Sequence, residues 1–104
     1  MITDMAAYLA EVDRLWSRGI KVPVTELADL DRLDEDEIVA GYRDARPDDP
    51  EPGPNRSRAY WHGWRNRMRE FGHLPPSSAA AELARKCVER GDFRAMFECA
   101  GEGE

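Results

Sequence analysis

From residue 4 to residue 18 the apolar side chains recur at steps of three and four: Met5, Tyr8, Leu9, Val12, Leu15 and Trp16. That spacing predicts an amphipathic helix with one face turned to a core, opened by Thr3 or Asp4 and stopped by Gly19. IKVPV follows as an extended connector containing Pro23, and Thr25 then caps a short helical turn carrying Leu27 and Leu30. LDEDEIVAGYRDARP has a defined start, with Asp34 as N-cap and Glu37 three residues on, close to a capping box. Leu33 and Ile38 occupy the two positions of a hydrophobic staple around that start. This helix runs to about Ala45, ends before Pro47, and gathers Ile38, Val39 and Tyr42 on its apolar side.

Four prolines and a glycine make DARPDDPEPGPN a loop. A third long helix spans about Arg56 to Phe71 and ends at Gly72 and Pro75-Pro76. Ser77 or Ser78 caps a fourth, AAAELARKCVER, which Gly91 stops. Asp92 starts one further turn with Phe93, Met96 and Phe97 on one face, and the terminal GEGE should fray. No repeat and no two-residue alternation interrupts this pattern. The expectation is an all-α fold, a small helical bundle of about four helices with a Pro-rich loop, built as a single domain over residues 1–104.

The third helix has an unusual wheel. Tyr60, Trp61, Trp64, Met68 and Phe71 fall within an arc of about 100°, the width of a core-facing stripe. Arg58, His62, Arg65 and Arg69 flank it on one side, and Arg56 and Arg67 on the other. Trp64 and Met68 read as core, whereas Tyr60 and Trp61 lie nearer the rims and are expected to be partly exposed. Gly63 costs roughly 1 kcal/mol in a helix interior relative to Ala, which suggests close approach of another helix or a ligand. His62 reads as an exposed bystander.

Charge sharpens this picture. The formal net charge of the whole chain is -6, yet residues 26–51 carry eleven carboxylates against three arginines, while 52–74 carry five arginines against one glutamate. The arginines therefore have two readings. They pair with the acidic block of the same molecule or form a solvated face, or they contact phosphate outside it, where a planar guanidinium matches phosphate oxygens and stacks on bases. The second reading nominates Arg56, Arg58, Tyr60, Trp61, His62, Arg65 and Arg69 as a nucleic-acid-binding set.

Several of these residues carry a family resemblance. Gly41-Tyr42 on a helix, a proline-containing loop, Asn55, an aromatic at Tyr60, the triplet Gly63-Trp64-Arg65 and Met68 together resemble the ribosome modulation factor family. Its members are small bacterial proteins of two helices joined by a loop. The resemblance covers about residues 36–71, with Tyr60, Gly63, Trp64 and Arg65 as the matched positions. It implies binding to the RNA of the small ribosomal subunit, silencing of translation and pairing of ribosomes during starvation. Family members are shorter and basic overall. This chain is acidic, its loop is shorter, and it adds helices at both ends.

The acidic block supports an alternative, a phage or mobile-element protein that inhibits a host protein complex by direct binding. Asp29, Asp34, Asp36 and Glu37 are its candidate contacts, competing for a groove that normally takes nucleic acid. A solvated acidic face is the plainer reading of the same residues. Metal binding is not expected. Ten residues separate His62 from His73 and eleven separate Cys87 from Cys99, so the close ligand pairs of structural zinc sites are missing, and the cysteines read as small hydrophobes on helices. No phosphate-cradling glycine loop, nucleophile elbow or helical zinc-ligand pair is present, which predicts a non-enzymatic protein without cofactors. The N-terminal segment lacks a secretory pattern and no apolar run approaches a membrane span, so the sequence predicts a cytoplasmic protein with no membrane association.

Overall fold

A computed structural model describes residues 4–91, all helix and connection with no strand among them. In chain order the helices are α1 (Met5–Ser17), α2 (Leu27–Asp31), α3 (Glu35–Asp44), α4 (Arg58–Glu70) and α5 (Ser78–Glu89). The expected all-α bundle is what the chain forms, with the short turn after Thr25 standing as a fifth helix. The expected turn from Asp92 and the GEGE tail lie outside the described residues.

Side-chain caps set the starts. Asp4 accepts from the amides of Ala6 and Ala7 at 3.1 and 3.4 Å, Ser57 from Tyr60 N, and Ser77 from Ala80 N, each satisfying amides that the first helical turn leaves open. Asp34 caps α3 as expected through Asp36 N at 2.9 Å, but the reciprocal half of a capping box is absent. Glu37 instead accepts from the Ser57 hydroxyl at 3.1 Å, tying the start of α3 to the cap of α4.

The closest packing in the molecule is between α3 and α4, and two glycines make it possible. A methyl at Gly63 would overlap the Ile38 carbonyl oxygen and lie 2.9 Å from Tyr42 N. A methyl at Gly41 would overlap the Tyr60 carbonyl oxygen and lie 3.1 Å from Trp64 N. Each glycine therefore sits against the backbone of the opposite helix. The close approach expected at Gly63 is to a helix, and Gly41 is its reciprocal partner.

Two apolar clusters form around this crossing. One joins Val24, Leu30, Ile38, Ala59, Leu83 and Cys87, with Leu27 and Leu33 against it, so both staple residues share it. The other joins Ala45, Trp61, Trp64 and Met68, with Trp16, Phe71 and Leu74 against it. Trp64 and Met68 are core, as their spacing indicated. Helix α4 contributes to both clusters, so it is the central helix and not a surface helix with one inner stripe. Among the described residues no helix is long and apolar enough to cross a membrane.

Candidate nucleic-acid interface

Because α4 is packed from several sides, residues expected at its rims lie inside. Tyr60 is 7% exposed, Trp61 2%, Arg58 7% and His62 7%. Four of the seven nominated residues are thus buried, and only Arg56 is exposed, with Arg65 and Arg69 half-buried.

Arg58 is the clearest correction. Its guanidinium grips Asp29 through two bonds of 2.7 and 2.8 Å, and it donates to the carbonyls of Val22 and Pro23 at 2.9 and 3.3 Å. Its donors are consumed inside the protein, so it reaches no external phosphate. Asp29, with no exposed surface, also accepts from Arg32 at 3.1 Å, and Arg32 clamps Asp13 through two bonds of 2.9 Å. The chain Arg58–Asp29–Arg32–Asp13 ties α4, α2 and α1 together. Hydrogen bonding to Arg32 holds the Asp13 carboxyl below the usual carboxylate range. Internal pairing with the acidic block is therefore realised at Arg58.

His62 is also corrected, from exposed bystander to a buried member of a polar chain. Arg69 only donates, so the Asn66 oxygen faces it at 2.8 Å and the Asn66 amide nitrogen faces His62 Nε2 at 3.2 Å. This row lines a groove between α4, the Pro23–Thr25 connector and the start of α5, in adjoining cavities of about 290 and 170 Å³ that share His62, Asn66, Arg69, Ser77 and Ala80.

The tyrosines of α3 and α4 bind across that helix pair. Tyr60 donates to Asp44 at 2.8 Å and Tyr42 to Glu70 at 2.6 Å. Burial, then the hydrogen bond to a carboxylate, raises both phenol pKa values above the ordinary one. Arg67 lies over the rings of Tyr42 and Phe71, 5.1 and 4.7 Å from their centroids, and bonds Glu70 at 3.2 Å.

Two of the nominated cations stand on aromatic faces. Arg56 lies 4.3 Å over the Tyr60 ring and Arg65 4.9 Å over the Trp61 ring, and neither has a carboxylate partner among the described residues. Trp61 meets Trp16 at 5.3 Å between centroids, tilted by 52°, and donates its indole N–H to Glu51 at 2.6 Å. Lys21 joins the same cluster, its Nζ 5.4 Å from the Trp16 centroid and 5.8 Å from that of Trp61, held by the Pro52 carbonyl at 2.9 Å. Sequence reasoning missed Lys21 and Trp16 as parts of this surface. Both lie about forty residues from Trp61, and no local pattern signals such a meeting.

The acidic set is smaller than expected. Asp29 is buried and leaves it, and Glu37 is half-buried on Ser57, which leaves Asp34 and Asp36 exposed at the start of α3. Of the four residues weighed for zinc, Cys87 is buried in the first cluster, His62 is in the polar chain, His73 is exposed beside Phe71, and Cys99 lies outside the described residues. No family model, curated protein or solved structure matches the chain.

Proposed function

We propose that this protein is a non-enzymatic, cytoplasmic RNA- or ribosome-associated regulator whose α3–α4 unit resembles ribosome modulation factor. The observation that carries the reading is a set of cations seated on aromatic faces with no carboxylate partner among the described residues: Arg65 and Lys21 on Trp61 and Trp16, and Arg56 on Tyr60. Cations held this way keep their charge available to phosphate and are already ordered, which lowers the entropy lost on binding. The resemblance adds support, since its Gly41-Tyr42 and Gly63-Trp64-Arg65 motifs contain the two crossing glycines and one of these cations.

The acidic exterior limits the strength of such binding and orients it. With phosphate contacts from Arg56, Arg65 and Lys21, affinity for single-stranded RNA should fall with salt at a logarithmic slope of about -2, a loss of roughly 20-fold between 50 and 200 mM. Filter binding across a salt series measures this. Absence of binding at 50 mM salt, or an unchanged affinity in the Arg56→Ala, Arg65→Ala double variant, would count decisively against the reading. Co-sedimentation with ribosomal subunits separates it from the protein-inhibitor alternative, in which the chain stays with a discrete protein partner.

A further inference from the structure

At the end of α1 lies a cleft of about 440 Å³ walled by Trp16, Ser17, Gly19, Lys21 and Pro54. We propose that it takes one unstacked base of a single-stranded RNA, with Lys21 on an adjoining phosphate; this inference rests on the RNA-binding reading above. The volume lies within the range of small-molecule sites, ample for a base and its sugar.

The walls suit a flat ring. Trp16 is half-buried, with part of its indole packed against Trp61 and the rest lining the cleft. Pro54 adds a second apolar ring to the lining. Gly19, at φ 84°, stops α1 without adding a side chain to the lining, and a Cβ placed there would meet nothing within 4 Å. An indole with a lysine ammonium beside it combines the two elements on which bases of any identity stack, an aromatic platform and a cation.

The charge is placed to match. Lys21 Nζ uses one of its three donors on the Pro52 carbonyl and has no carboxylate partner among the described residues. It is therefore fixed at the cleft with donors remaining. Arg65 lies against the same Trp61 ring, so a strand whose base enters the cleft passes a second cation as it leaves. Duplex RNA, with its bases stacked inside, cannot present a ring to Trp16.

The test is fluorescence anisotropy of labelled hexauridylate, hexaadenylate and an RNA duplex at 50 mM salt. Both single strands should bind more tightly than the duplex. Trp16→Leu should weaken single-strand binding about tenfold or more, and Trp16→Phe should retain most of it. Because Trp16 also packs on Trp61, exposed Ser17→Glu serves as a second probe. It should weaken single-strand binding several-fold more than Ala6→Glu, which makes the same charge change at the far end of α1. Equal affinities for wild type, Trp16→Leu and Ser17→Glu would overturn the cleft assignment while leaving RNA binding standing. Failure of the wild type to bind either single strand would overturn both.

Discussion

Replacing Gly63 by alanine pits two opposing effects against each other, and the structure decides the winner. In an isolated helix the change is favourable by about 1 kcal/mol, since alanine restricts the unfolded chain and suits helical geometry. Here the added methyl overlaps the Ile38 carbonyl oxygen and comes within 2.9 Å of both the Ile38 carbonyl carbon and Tyr42 N. Those atoms are backbone on a hydrogen-bonded helix, so no side chain can rotate away to make room. Relief requires α3 to move off α4, loosening Trp64, Ile38 and the Tyr60–Asp44 and Tyr42–Glu70 bonds together. Overpacking typically costs about 1–3 kcal/mol, and a backbone obstacle belongs at the upper end. The net effect is a loss of roughly 2 kcal/mol, or a Tm lower by about 10 °C in a domain of this size. Thermal denaturation followed by circular dichroism at 222 nm measures it. Gly41→Ala should behave alike, and the double variant should cost less than the two single losses added, because helices already parted leave room for the second methyl. An unchanged or raised Tm in Gly63→Ala would refute the glycine crossing.

Arg58→Met should cost about 3 kcal/mol in urea denaturation, because it leaves the fully buried Asp29 carboxylate with Arg32 as its one remaining cationic partner among the described residues. Asp29→Leu added to it should recover part of that loss, and a single-variant cost under about 1 kcal/mol would show that the pair is not made. In alkaline titration monitored at 295 nm, Tyr42 and Tyr60 should ionise above the ordinary phenol value near 10. Their raised values favour the protonated form in the folded state. That contribution is complete below pH about 10 and is lost as pH rises through the folded-state pKa values, so Tyr60→Phe should flatten the alkaline decline in stability.

Helix positions were legible because they depend on neighbours in sequence. Asp4, Asp34 and Ser77 are capping residues next to periodic apolar runs, and Gly19 and Gly72 follow the runs they close. Ser57 was not legible as a cap, and α4 starts two residues after the expected Arg56. What α4 meets was not legible. Its wheel shows an apolar stripe with cationic borders, which for a peripheral helix means solvated arginines. The borders are covered instead because Asp29 lies 29 residues from Arg58 and satisfies it, and Asn66 and Arg69 surround His62. A buried charge and a solvated charge look identical in a sequence when the partner is remote. Gly63 announced a close contact through its cost in a helix. Gly41 carried the same signal, and pairing the two would have fixed which helices cross.

The α3–α4 crossing also bears on how the chain reaches its native state. Its contacts join residues about twenty apart across a thirteen-residue, proline-restricted loop, and closure entropy grows only slowly with loop length, so less chain entropy is lost than in a more distant pairing. Local contacts of this kind form early, giving α1, α2 and α5 a preformed pair on which to dock. Amides of α3 and α4 should then be the last to exchange with deuterium, and those of α1, fastened mainly through Trp16 and the Arg32–Asp13 clamp, should open at lower free energy.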